Sequence, residues 1–392
     1  MALKNQYKGN IGKLSIAMLT NDANFSLGVY VIFMLWIGLS LAEVSLALSA
    51  WLIFSSIGQI PSGIFADRYG YRTALLWGSI IFFFGTVLFA FGQNFYWLLI
   101  ANSLLGFGCS MKQGADYALL YEQLQDQGKE KSYKQMAGKI DFYTNIFWVV
   151  TAVLGGLLYT VNARAPFYAE IVVAIVGIVA CCLLIEPPRK VKKVPVLRQI
   201  KNSVKFAFQT PRFSKIFIFS ALIGSIAMMT FQYVQPLYVS LDIPTSYFGF
   251  IAATLFIFRA FGSWFAHKLG KFFSIDKYLV LHASVFGLFL VLMQRIDSVY
   301  YIFPVLAVFY FLRGLYSPTI STYINEKVTS DKRATMLSVN KQVLTVVAAV
   351  SVSGLGVIAD KFGLQQVFFS ISILSLVFLI FYVLTLRKVE MD

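Results

Sequence analysis

The stretch GIFADRYGYR, residues 63–72, stands between two long apolar runs, 42–66 and 73–92. Each run has the ~20 residues that a helix needs to cross ~30 Å of hydrocarbon. Between them the chain places Asp67, Arg68 and Arg72 beside Gly63 and Gly70. Glycine frees the backbone for a tight turn. A carboxylate at a helix end can accept from an exposed helix N-terminus or pair with arginine. The stretch therefore reads as a charged turn joining two membrane helices.

Working outward, the whole chain has the same character. Of its 392 residues 58% are hydrophobic, 17% aromatic and only 13% charged, against about 25% charged in soluble chains. Mean hydropathy is +0.72. These values exclude a water-soluble enzyme and a disordered chain. Cys109, Cys181 and Cys182 all lie in apolar runs, which fits small buried hydrophobes rather than a disulfide framework. The net charge of +15 could suggest nucleic acid, but the basic residues sit in short segments between apolar stretches. No nucleic-acid partner is expected.

Twelve spans are predicted, at 11–37, 42–66, 73–92, 96–123, 138–160, 165–186, 213–239, 246–267, 276–294, 299–324, 335–358 and 363–386. Continuous apolarity favours helices over barrel strands, which alternate over ~10 residues. The first run lacks a small-residue cleavage site and reads as a retained span. Of the 33 Lys and Arg, only Arg164, Arg295 and Lys361 fall on one face, and Lys112, Arg259, Arg313 and Lys341 lie well inside spans, unlike Lys13, Lys139, Lys215 and Lys277 at the span ends. The other 26 share the face of both termini, which predicts a multi-pass protein of the cytoplasmic membrane with both termini in the cytoplasm.

The chain divides into a six-helix half at 1–186, a basic linker at 187–212 and a second half at 213–392. Within the linker Leu197, Ile200, Val204 and Phe208 recur at helical spacing beside Arg198, Lys201 and Lys205, predicting an amphipathic helix on the lipid surface. SWFAHKLGK at 263–271 echoes the opening stretch at a shift of 200 residues, placing Gly270 on Gly70 and Lys268 on Arg68. Lys112 and Arg313, and Asp141 and Lys341, correspond at nearly the same shift. Such duplication is how many secondary transporters are built.

At GIFADRYGYR the sequence resembles the major facilitator superfamily, whose second loop reads G-x-x-x-D-R-x-G-R-[RK]. Gly63, Asp67, Arg68, Gly70 and Arg72 match, and Tyr71 departs. The resemblance implies an all-α membrane fold of twelve helices in two pseudo-symmetric six-helix halves. It also implies that the loop latches the halves on the cytoplasmic side, with Asp67 meeting the start of helix 11 near Thr335. Two motifs of proton-driven drug exporters are weak here. Asn102 stands where an arginine often precedes Gly106, and only Gly155-Gly156 remains of a helix-5 Gly-Pro motif.

Charges within spans cost ~2.5–3.5 kcal/mol each on insertion scales and mark functional candidates. Asp22 lies near the midplane beside Asn21 and is a candidate for proton coupling. Lys112 and Asp116, four apart, would share one face of helix 4, as an internal ion pair or a switchable one. Tyr117 lies beside them. Asp141 and Arg259 are candidates for a bridge between halves, since in the family fold helices 5 and 8 face each other. Arg313 and Lys341 could instead attract an anionic substrate group. Tyr30 and Tyr233 lie on helices that border the cavity in the family. Glu170 reads as interfacial.

There is no Walker loop, no H-E-x-x-H and no dinucleotide fingerprint. Neither an enzyme nor a cofactor or metal site is expected. The reading is a monomeric secondary carrier whose partners are a small-molecule substrate, protons and membrane lipids, with proton-coupled efflux of an amphipathic compound foremost. A carrier of an anionic or lipid-like substrate and a non-transporting receptor or scaffold are the alternatives.

Overall fold

The computed structural model describes residues 9–21, 23–186, 208, 210–269, 273–296, 298–328 and 330–391. Asp22, and the linker helix expected around 197–208 but for Phe208, fall outside them. Every regular element among the described residues is helical.

The first unit is built around α1 (Asn10–Asn21), α2 (Tyr30–Trp36), α3 (Leu41–Ile57), α4 (Gln59–Tyr69), α5 (Tyr71–Phe91), α6 (Phe95–Lys112), α7 (Ala115–Asp126), α8 (Tyr133–Val161) and α9 (Ala165–Cys182). The second is built around α10 (Pro211–Ser240), α11 (Phe248–Leu269), α12 (Ile275–Gln294), α13 (Val299–Lys327), α14 (Ser330–Phe362) and α15 (Leu364–Met391). Helix starts follow local chemistry. The Asn94 side chain accepts from the Trp97 N–H at the start of α6, and proline opens α9 and α10, where a missing N–H costs nothing.

Among the described residues nine helices are long and apolar enough to cross a membrane, and the pair α3–α4, bent by 43° at Gly58, makes a tenth. The two other expected spans, the first and fourth, are each split, α1 from α2 and α6 from α7. Hydropathy averaged over ~19 residues does not register such breaks. The apolar residues on either side outweigh Asn21, Asn24 and Ser26 in the first span, and Gln113 and Gly114 in the fourth.

The units are not a simple cut at the linker. Ser40–Ser49, the start of α3, groups with the second unit, and Thr245–Ala253, leading into α11, with the first. In the first unit Leu14, Met18, Leu75, Leu119, Leu124 and Cys181 form a closed apolar core. In the second, Tyr382 stacks on Phe219 with centroids 4.0 Å apart, and His282 stacks on Phe286. Large apolar side chains such as Phe84, Val172, Leu288 and Phe381 stay exposed, which lipid permits.

Candidate functional site

The loop at 63–72 is fastened within the first unit. Helix α4 ends at Tyr69 and α5 begins at Tyr71, so Gly70 alone turns the chain, at φ +101°. Glu186, just beyond α9, accepts from the Tyr71 and Arg72 N–H groups at 2.6 and 3.0 Å. A Cβ on Gly70 would overlap that carboxylate. Arg72 donates through Nε and Nη2 to the carbonyls of Cys181 and Cys182. Gly70 and Arg72 thus bind this loop to the end of α9. Arg68 lies over the Tyr69 ring at 5.2 Å, Asp67 is half-buried, and a Cβ on Gly63 would touch nothing within 4 Å.

The break in the first span is held open by neighbours. The Asn24 N–H donates to Thr151 Oγ1 at 3.3 Å, and the Ser26 N–H to Glu170 Oε1 at 2.7 Å. A Cβ on Gly155 would overlap the Phe25 carbonyl, so glycine is required for α8 to approach the unwound segment. Glu170 is therefore not merely interfacial. It replaces a backbone partner that the unwound segment has lost. At the near end of the break, Asn21 accepts from Ser79 Oγ at 3.2 Å. Lys112, 5% exposed, reaches the Asn21 carbonyl at 3.5 Å and lies 3.7 Å from the Phe82 ring centroid.

The expected shared face for Lys112 and Asp116 requires correction. Helix α6 stops at Lys112, Gln113 is extended, and Gly114 has φ +88° before α7 starts. No continuous helix joins the two residues, so their spacing of four does not align them. Asp116 Oδ1 accepts from the N–H groups of Gly114 and Tyr117, which steadies the start of α7. The Tyr117 hydroxyl donates to Asp141, which is exposed. Tyr30 is half-buried at the start of α2.

In the second unit Arg313 lies 4.7 Å from the Phe231 ring and 5.9 Å from that of Tyr310. Arg259 lies 5.7 Å from the Phe256 ring. Phe231 and Phe256 both meet Tyr310 edge to face, so one aromatic cluster receives both guanidiniums. Lys341 is exposed on α14. Tyr233, expected at a cavity wall, is 1% exposed, and its hydroxyl donates to the Val352 carbonyl at 3.0 Å. With that proton engaged, Ser45 Oγ donates to Tyr233 Oη at 2.9 Å. Tyr233 thus ties α10 to α3 and α14 and does not line a cavity wall.

Sequence reasoning missed Glu170 and Glu186, since each acts on backbone N–H groups far away in the chain. The Glu186-Pro187-Pro188 run, which ends the sixth span on a carboxylate, was the signal available for one of them.

Helices long enough to span a bilayer, with large apolar side chains left exposed along them, define a multi-pass membrane protein. The profile of the Major Facilitator Superfamily matches residues 14–352, and the chain belongs to that superfamily. It is 22% identical over 352 residues to the uncharacterized MFS-type transporter YxaM of Bacillus subtilis (strain 168), covering 86% of this chain and 85% of that one. It is 25% identical over 154 residues to the quinolone resistance protein NorA of Staphylococcus aureus (strain MRSA252). That match spans only 39% of each chain. Among solved structures, a single-substitution mutant of the nucleoside transporter NupG superposes with a TM-score of 0.83 at 12% identity, over 96% of this chain and 98% of that one. A bacterial homolog of the human lysosomal transporter Spinster gives 0.75 at 15% identity, over 97% of each chain.

Proposed function

We propose that the chain is a secondary active transporter that exports a small amphipathic organic molecule across the cytoplasmic membrane, driven by protons, with both termini in the cytoplasm. The observation that carries this reading is the unwound first span. Transporters place substrate and coupling-ion sites at discontinuous helices near the midplane. Here the break gathers Asn21, Asn24, Ser26, Thr151 and Glu170, with buried Lys112 at its edge. Asp22 belongs to the same segment by sequence and remains the first candidate for proton coupling, with Asp116 the second. The partial likeness to a quinolone resistance protein supports export of an amphipathic compound.

A second reading rests on the Arg259–Tyr310–Arg313 cluster. Two guanidiniums on one aromatic group suit a substrate that carries an anionic end. Thermal unfolding of the purified protein with ethidium, an amphipathic cation, or carboxyfluorescein, an anion, separates the readings, because a ligand that binds the folded state raises its melting temperature. A rise with ethidium supports the first reading and a rise with carboxyfluorescein alone supports the second. No rise with either, at millimolar concentration, contradicts both.

A further inference from the structure

Residues 356–363 read GVIADKFG, against GIFADRYG at 63–70. Glycine, alanine, aspartate and glycine recur at the same positions, and Lys361 and Phe362 replace Arg68 and Tyr69 conservatively. The geometry recurs as well. Helix α14 ends at Phe362, Gly363 turns the chain at φ +88°, and α15 begins at Leu364. By the predicted topology, this second copy lies at the end of the spans away from the chain termini.

Its carboxylate is engaged. The Leu41 N–H donates to Asp360 Oδ1 at 2.9 Å and the Ala42 N–H to Asp360 Oδ2 at 3.1 Å. These are the first two N–H groups of α3, where a helix favours an anion. Helix α3 does not need Asp360 in order to form. Ser40 and Glu43 make a reciprocal cap, the Glu43 N–H donating to Ser40 Oγ at 3.2 Å and the Ser40 N–H to Glu43 Oε2 at 2.9 Å. The Asp360 bonds therefore attach a helix that is already capped.

Below them runs a small-residue seam. A Cβ on Gly356 would lie 2.5 Å from Ser45. Ser45 bonds Tyr233, and Ser49 Oγ donates to the Ala349 carbonyl at 2.8 Å and accepts from Ser353 Oγ at 2.9 Å. Numbers rise along α3 as they fall along α14, so the two run antiparallel. Serine hydroxyls can exchange such partners for water at little net cost. Asp360 is exposed at the mouth of the seam.

We propose that Asp360 is a detachable latch which, when engaged, holds residues 40–49 in the second unit and which releases them during the transport cycle. Asp67, at the other end of the second span, would be its counterpart. The proposal borrows alternating access from the proposed function, but its test needs neither substrate nor proton gradient, so either can fail alone.

The test is the distance distribution between spin labels at Leu46→Cys and Val357→Cys, both exposed positions, in an otherwise cysteine-free protein. Asp360→Asn keeps the size and removes the charge, and Asp360→Ala removes the acceptor. Loss of a capping carboxylate is worth about a fivefold change in a two-state ratio. The expected result is a rise of that order in a longer-distance population for both variants, with Lys361→Gln matching the parent. Should Asp360→Ala fail to yield a monodisperse protein, Asp360→Asn decides the matter. Distributions that superimpose on the parent would overturn the proposal.

Discussion

Gly70 and Gly63 both match the loop signature, yet the structure gives them different physical reasons to be glycine. At Gly70 the backbone has a positive φ and a Cβ would strike the Glu186 carboxylate; at Gly63 the space is open. Gly70→Ala should therefore cost about 1–3 kcal/mol from backbone strain and displaced hydrogen bonds. Gly63→Ala should be neutral or slightly stabilising, since alanine suits a helix interior better. Thermal unfolding in detergent checks both, and equal losses would mean that the open space at Gly63 is wrong. The motif was legible in sequence, but this division of labour was not, because Glu186 lies on the far side of five further helices in the chain from Gly70.

At the scale of the element, apolar runs located the helices but could not find the breaks in the first and fourth spans. Lys112 and Asp116 illustrate why. Their spacing reads as one helical face only if the helix is continuous, and Gly114 at φ +88° ends it. That glycine was visible, but an isolated glycine inside an apolar run is more often tolerated than structural. The break makes a graded expectation. Gly114→Ala meets no steric obstacle but carries the cost of a left-handed backbone, about 1 kcal/mol. Gly114→Asn should cost less, because asparagine visits that region readily. Melting temperatures ordered parent, asparagine, alanine are expected. An alanine variant as stable as the parent would show that a continuous fourth span is equally accessible.

For the whole molecule, charge placement and the duplicated loop were enough to read the fold class, while the assignment of short segments to the two units was not. Ser40–Ser49 and Thr245–Ala253 hold their places through small-residue contacts, such as Ser45 with Tyr233 and Gly249 with Ala152. Composition carries no trace of those. The proposed topology is open to direct labelling. In a cysteine-free background, Gln93→Cys and Asn162→Cys should react with an impermeant maleimide added to intact cells, and Gln127→Cys only after permeabilisation. Labelling of Gln127→Cys in intact cells would reverse the orientation.

The central claim is transport coupled to protons, and flux in proteoliposomes measures it. Ethidium is the suitable probe, because a permanent cation is not drawn across a bilayer by pH partition alone. With an acidic lumen, vesicles containing the protein should accumulate ethidium beyond the level in protein-free vesicles, and a protonophore should collapse the difference. Ethidium, quinolone and carboxyfluorescein uptake that is indistinguishable with and without the gradient, in protein shown to be folded, would contradict the account.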